Sequence, residues 1–498
     1  MFSSVVSSVL STAKQVLLLL PSAMMVLNIF FAIVVVFYER RNPAVTWSWL
    51  MVITLVPYIG FVFYLLVGLD SRKYRLFSAK AKKDELLCKQ MMEQSGDNME
   101  RQLKVVGQKN ILQVRGSEHY NDMIYLNIFS GGGLFSKNNH VSLFHEGGPK
   151  FDDLLEGIRT AKRFIHLEYY IVRNDDIGRR LVEALAIKAA EGLDVRFMYD
   201  GMGSVTTPRK LFRPLAAAGG KVTEFMRPHF FRINFRNHRK ICVIDGETAY
   251  IGGLNIGNEY LGKSKRFGHW RDTHIKVRGD AVAQLELRFV MDWNFCSTDV
   301  IHLRDGFFPR TSGITRGVAM QIISSGPDTA QHNIHYAYVK MISEADKSIY
   351  IQTPYFVPDD AVFESLKIAA LSGIDVRIMI PAKKDHPFVH WANLSYLGEL
   401  VEVGVKCYLY QKGFVHSKMV LVDSLVSSIG TANMDIRSFK LNFEVNAFLY
   451  DAQVTKALEE QYLRDIEDSS QLTMEEYAKR SHAVKVKESV SRLLSPLL

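Results

Sequence analysis

His238-Arg-Lys240-Ile-Cys-Val-Ile-Asp245-Gly-Glu-Thr-Ala-Tyr-Ile-Gly252-Gly253-Leu-Asn255 decides the reading of this chain, because it is written a second time. The other copy is His416-Ser-Lys418-Met-Val-Leu-Val-Asp423-Ser-Leu-Val-Ser-Ser-Ile-Gly430-Thr431-Ala-Asn433. Both follow His-x-Lys-x4-Asp-x6-Gly-[Gly/Thr]-x-Asn. Each histidine and lysine are two apart and lead into an apolar run, which predicts a strand with both side chains on one face. Asp245-Gly246 is a hairpin turn signal, with Thr248 to Ile251 as the return strand.

These residue types suit chemistry on a phosphate. A neutral imidazole can attack phosphorus and carry it covalently. A second histidine can protonate the leaving alcohol and deprotonate the incoming one. Two lysines and two asparagines can hold the non-bridging oxygens as charge shifts. Such a site calls for no metal or other cofactor. One copy alone would read equally well as a buried strand with a satisfied histidine. Two copies at identical spacing point to one active site built from two related halves.

At these residues the chain resembles the phospholipase D superfamily, and within it the bacterial cardiolipin synthases. The likeness continues at Asn255-Ile-Gly-Asn-Glu259-Tyr260 and Phe267-Gly-His-Trp270-Arg271-Asp272-Thr273-His274. It recurs at Tyr350-Ile-Gln-Thr-Pro354-Tyr355-Phe-Val-Pro358, at Gly430-Thr-Ala-Asn433-Met-Asp435-Ile-Arg437-Ser438 and at the closing Arg492-Leu-Leu-Ser-Pro-Leu-Leu498. The resemblance implies that two phosphatidylglycerol molecules give cardiolipin and glycerol. It also points to an acidic residue downstream of each motif that fixes a histidine tautomer; the matching positions are Asp272 and Glu444. Asp245 and Asp423 belong to the motif, yet a structural role in the turn competes with a chemical one. In similar two-motif enzymes the first half usually holds the nucleophile, which favours His238, although the pseudo-symmetry leaves either histidine open.

The 498 residues allow two cored domains and a membrane segment, and the net charge of +9 suits anionic lipid or nucleic acid. Val16 to Tyr38 and Thr46 to Leu69 are apolar runs long enough to span a bilayer, joined by the short link Glu39 to Pro43. A cleaved signal peptide would explain the first but not the second. Arg72, Lys73, Arg75, Lys80, Lys82 and Lys83 follow closely, which predicts a catalytic body on the cytoplasmic face of the bacterial cell membrane. The charged stretch from Lys80 to Val106 reads as a juxtamembrane helix or linker whose basic start touches anionic headgroups. Four scattered cysteines, Cys88, Cys242, Cys296 and Cys407, form no metal or disulfide pattern and fit a reducing compartment.

The repeat extends beyond the motif. Phe164 to Tyr170 matches Ile349 to Tyr355, each followed by paired aspartates and a helical stretch. Gly192 to Met198 then matches Gly373 to Met379, a glycine stop and a strand. The expected fold is α/β: two pseudo-symmetric phospholipase D-like sandwich halves behind a two-helix transmembrane hairpin. The expected boundaries are a hairpin over 1–70, a basic linker over 71–110, a first half over 111–310 and a second half over 311–498 with C-terminal helices. A seam is expected near Phe307 to Gly317, and Val454 to Leu498 reads as helical, with an apolar tail docked on the body or, alternatively, in peripheral contact with the membrane.

Ser130-Gly-Gly-Gly133 lacks the Gly-Lys-Ser/Thr of a nucleotide loop and reads as a turn. Arg227 to Arg236 mixes cations with aromatics and reads as either a solvated loop or an entrance for headgroups; His386 to Trp391 is a similar candidate. Glu168 and Gln352 hold matching strand positions, buried with a hydrogen bond by default. The expected activity is therefore phosphatidyl transfer on an anionic membrane, with no nucleic acid partner. A hydrolase or a transferase using another alcohol is the nearest rival. An anionic-lipid-binding scaffold is a more distant one, since scaffolding needs no paired lysine and histidine.

Overall fold

The computed structural model describes residues 25–38, 43–64, 71–95, 102, 104, 120–226, 234–302, 307 and 317–494. The start of the first apolar run, the link at 39–42, residues 65–69, the loop at 227–233, most of the expected seam and residues 495–498 lie outside them.

Each half is built the same way. In the first, Phe164–Tyr169, Asp194–Asp200 and Lys221–Phe225 run parallel, and Lys240–Ile244, Thr248–Gly252 and His274–Gly279 continue the sheet antiparallel. In the second, Ser348–Gln352, Asp375–Pro381 and Lys406–Tyr410 run parallel, followed by antiparallel Met419–Val422, Val426–Gly430 and Asn442–Tyr450. Ser136–Phe144 and Val318–Ser325 pair with each other and weld the halves into one continuous sheet.

The crossovers obey local rules. Asp175 and Asp359 cap helices Asp176–Ala190 and Asp360–Leu371 by accepting from the backbone N–H of Gly178 and Val362. Gly192 and Gly373, at φ of 92° and 91°, turn each chain back into its next strand. Strand side chains alternate between two cores. Ile241, Val243 and Ile251 join Met419, Leu421 and Ile429 in a core shared between the halves. Cys242 and Ile244 face an outer core of the first half, and Val420 and Val422 face that of the second. Glu168 and Gln352 are buried in their strands, bonded to Asn237 and Asp465 respectively.

The C-terminal stretch is helical over Ala452–Glu467, Met474–Ala478 and His482–Leu493. It also carries a strand that the helical reading missed, Ser469–Leu472, which extends the sheet beside Lys406–Tyr410. The last helix is tied to the body by an Arg492–Glu399 ion pair.

In the N-terminal region the hairpin is not shown among the described residues, and the role expected of the basic stretch is revised. Residues 25–38, Pro43–Leu55 and Pro57–Phe63 are helical and pack around Val35, Trp49, Ile53 and Tyr64, with Phe30, Phe37, Trp47, Leu55 and Tyr58 exposed. The second run is divided at Val56, the residue before Pro57, where helical backbone is disfavoured. No helix among the described residues is long and apolar enough to cross a membrane. The basic stretch forms helix Ser71–Ser95, but Lys80 does not face headgroups. It is buried against Asp84 at 2.6 Å, Asp292 at 3.0 Å and Asp328 at 2.6 Å. Three clustered carboxylates can be buried only with cations among them, and Lys80 supplies one beside Arg288 and Arg239.

Candidate active site

The motif hairpins fold as their spacing requires. Asp245 and Gly246 adopt φ of 58° and 70°, and Asp423 and Ser424 adopt 54° and 55°. At this bend Asp245 accepts hydrogen bonds from the backbone N–H groups of Lys162, Arg163 and Phe164. Asp423 does the same for Asp346, Lys347 and Ser348. Each aspartate thus closes the start of a neighbouring strand, at the far end of its own strand from the histidine.

The histidines sit where the halves cross. The backbone N–H of His238 donates to the Phe443 carbonyl at 2.9 Å, and that of His416 to the Arg271 carbonyl at 2.7 Å. The residues just before each histidine form a short strand with the opposite half: Arg236–Asn237 beside Asn442–Phe443, and Gly413–Val415 beside His269–Arg271. This exchange carries the acidic residues across. Nδ1 of His238 lies 3.0 Å from both Glu444 carboxylate oxygens and 3.1 Å from the Thr431 carbonyl. Nδ1 of His416 lies 2.9 Å from the Asp272 carboxylate. The carboxylates at Nδ1 favour the proton there and leave each Nε2 with a lone pair; at His416 the Lys418 Nζ also lies 2.9 Å from Nδ1.

The change from Asp to Glu between copies has a packing cause. A side chain at Gly253 would put its Cβ 2.0 Å from the Asp272 carboxylate, so that carboxylate lies over bare backbone. The equivalent Thr431 goes with Glu444.

Burial comes first in setting the charges. It pushes both imidazoles down, to about 4. Glu444 pulls His238 back up while Lys240 lowers it; at His416, Lys418 lowers and Asp272 raises. Burial likewise holds Lys240 well below the usual lysine range and brings Lys418 down to about 8. The two carboxylates stay low: burial would raise them, but their histidine partners outweigh it. Each lysine Nζ donates to the carbonyl of its own histidine at 2.5 Å, and both lysines are fully enclosed behind the imidazoles.

Both histidines open onto one cavity of about 760 Å³, lined also by Asn255, Asn433, Tyr170, Tyr355, Arg236 and Arg437. Asn255 is fixed, accepting from the Ile171 N–H and donating to the Tyr260 hydroxyl. Asn433 presents a buried Oδ1 with no hydrogen-bond partner among the described residues. His386 and Val389 reach the lining, as does Phe63 from the N-terminal helices. Of the cation-rich loop, Asn234 and Arg236 line the cavity, and 227–233 lie outside the described residues. Tyr170, Trp270 and Phe414 were not singled out from the sequence, although Tyr170 packs edge-on at 4.9 Å from the His238 ring and Trp270 lies 5.2 Å from that of His416. The signal was available: Trp270 and Phe414 each stand two residues before a member of the site.

The site can therefore set two neutral, oriented imidazoles on one phosphorus, with two buried lysines behind them. Comparison with known proteins bears on the family. The family described as "Cardiolipin synthase, PLD-like domain" matches residues 154–293 and 338–466, and "Phospholipase_D-nuclease N-terminal" matches 26–68. A cardiolipin synthase of Listeria monocytogenes serotype 4a is 48% identical over 481 residues, 95% of this chain and 98% of that one. One from Oceanobacillus iheyensis is 44% identical over 476 residues, again 95% and 98%. The fold resembles that of phosphatidylserine synthase from Haemophilus influenzae, with a TM-score of 0.61 at 15% identity, covering 76% of this chain and 100% of that one. The N-terminal match and the exposed apolar side chains are those of a membrane-associated protein. The chain belongs to the cardiolipin synthases, phosphatidyltransferases of the phospholipase D superfamily.

Proposed function

We propose that the protein transfers a phosphatidyl group between two phosphatidylglycerol molecules, giving cardiolipin and glycerol through a phosphatidyl-histidine. The observation that carries this is the pair of imidazoles at one cavity, each with Nδ1 held by a carboxylate of the opposite half. His238 Nε2 attacks phosphorus as the bond from phosphorus to the glycerol oxygen breaks. The incoming phosphodiester is anionic, which favours the protonated form of the neighbouring His416. His416 gives that proton to the leaving glycerol. It then takes one from a hydroxyl of the second phosphatidylglycerol, whose oxygen attacks phosphorus and releases His238. Lys240 and Lys418 supply positive charge from behind, and Asn255 and Asn433 meet the non-bridging oxygens. Glu444 and Asp272 hold the tautomers. Asp245 and Asp423 act structurally, through the backbone groups they bind.

The two apolar runs within 1–70 would anchor this site as a hairpin in the bacterial cell membrane. The linker over 71–110 and the halves over 111–310 and 311–498 would then lie on the cytoplasmic side. Phe63 at the cavity rim supports direct entry of lipid from that surface. The test is to feed purified protein labelled phosphatidylglycerol, without nucleotide, and identify the products. Cardiolipin with glycerol is expected; phosphatidic acid alone would make the protein a hydrolase.

A further inference from the structure

The cavity's two walls come from equivalent positions, yet they carry opposite chemistry. Two residues before the motif histidine stand Arg236 in the first half and Phe414 in the second. Two residues before the acidic partner stand Asn442 and Trp270, and four residues after the motif asparagine stand Arg437 and Glu259. All six line the cavity. The strand exchange sorts them by wall, because Arg236 is the register partner of Asn442 and Phe414 that of Trp270. One wall is therefore Arg236, Asn442 and Arg437; the other is Phe414, Trp270 and Glu259.

The second wall neutralises its own charge. Glu259 takes Arg173 at 3.5 Å, and Trp270 and Phe414 pack with ring centroids 5.1 Å apart. The first wall concentrates positive charge. Arg437 donates to the Asn234 side chain at 2.8 Å and to its backbone carbonyl at 2.5 Å, both neutral acceptors. Burial, and then Arg236 beside it, bring the Arg437 guanidinium down to about 10. Asp435, the nearby carboxylate in the lining, is turned to cap helix Ile436–Lys440 through the Ser438 N–H at 2.6 Å. Arg236 also bonds the Tyr170 hydroxyl and is drawn to Asp200, and Arg437 to Asp435, yet both guanidiniums line the cavity, and guanidinium suits the bidentate oxygens of a phosphodiester.

We propose that Arg236 and Arg437, with Asn442, form a second phosphodiester subsite, which holds the phosphate of the acceptor phosphatidylglycerol while its glycerol hydroxyl reacts. This rests on the transfer reaction proposed above. That reaction joins two phosphates through a three-carbon glycerol, so both must fit one cavity. The central lysines and asparagines serve the reacting phosphate, and the arginine wall takes the other. Water and free glycerol carry no phosphate to bind there, so the subsite favours lipid over either as acceptor.

Two reactions of the full-length protein in mixed micelles separate the roles. Cardiolipin formation needs both phosphates; exchange of labelled glycerol into phosphatidylglycerol needs only the reacting one. In Arg437→Gln and in Arg236→Gln, cardiolipin formation should fall at least about thirtyfold more than glycerol exchange, with a raised KM for phosphatidylglycerol as acceptor. Arg437→Lys should recover part of the ratio. Equal loss of both reactions would place the arginines on the reacting phosphate or in the fold, and no loss of either would leave them without a role; both overturn the subsite. Wild-type protein that exchanges glycerol but makes no cardiolipin would instead overturn the transfer reaction itself.

Discussion

Glu444 lies 3.0 Å from the Nδ1 of His238, across 206 residues of sequence and from the opposite half of the fold. Asp272 serves His416 in the reverse sense at 2.9 Å. Neither half therefore contains a complete histidine unit.

The carboxylates should matter through the tautomer rather than through charge alone. Glu444→Gln and Asp272→Asn should each lower cardiolipin formation by roughly 10²–10⁴ while the protein stays folded by thermal unfolding in detergent. Activity within a few-fold of wild type in either variant would remove the carboxylates from the mechanism.

Asp245 and Asp423 should behave as structural residues. Asp245→Ala strands three backbone N–H groups and should cost about 1–3 kcal/mol of stability, read as a lower thermal midpoint. Asp245→Asn, which keeps an acceptor and tolerates a positive φ, should recover much of it. Turnover of Asp245→Asn near the wild-type level at low temperature is the expected result. A loss above a hundredfold in a stably folded Asn variant would return this aspartate to the chemistry.

Lys80 ties the N-terminal helix to the catalytic core. Its partner Asp292 also binds Arg239, which sits between His238 and Lys240 and donates to the Glu444 carbonyl at 3.2 Å. Lys80→Met leaves Asp328 without its ion-pair partner, while Asp292 keeps Arg239 and Arg288, and should destabilise the protein by about 3–5 kcal/mol. An unchanged midpoint would mean that the carboxylates find their charge balance without the helix.

The depressed imidazoles predict an acid limit. An unfolded histidine titrates near about 6.5, whereas His238 and His416 are pushed down to about 4 in the fold. Between those values the unfolded chain binds more protons, so stability is full above about pH 6.5 and is lost progressively as pH falls toward about 4. A His238→Asn, His416→Asn double variant should lose less stability over that window. Matching pH slopes for the two proteins would contradict neutral imidazoles in the folded site.

Much of this architecture was legible because it repeats. The spacing from His238 to Asn255 gave a strand and a hairpin, and its recurrence at His416 gave the second half. Which acid serves which histidine was not legible, since Asp272 and Glu444 follow their own motifs in sequence and serve the other in space. That exchange depends on the pairing of Arg236–Asn237 with Asn442–Phe443, a contact between residues far apart in the chain that no local pattern encodes. Lys80 misled for a related reason. A lysine in a basic run reads as a solvated or headgroup-facing charge, and only the tertiary fold brings Asp292 and Asp328 to it. Tyr170 and Trp270 stand in the stretches that carry the repeat and the resemblance and Phe414 does not, and none carried a site role, because aromatic side chains near a strand are core by default.

The central claim, one site in which one histidine carries the lipid and the other moves the proton, is tested most directly by trapping the intermediate. Labelled phosphatidylglycerol is incubated with His416→Ala and with His238→Ala, and the protein is examined for an acid-labile lipid adduct mapped to one peptide. His416→Ala retains the attacking imidazole and should hold label on the peptide containing His238. His238→Ala should hold none, and both should lose cardiolipin formation by at least about a hundredfold. Near-normal cardiolipin formation in either variant, with no adduct in the other, would contradict the shared site.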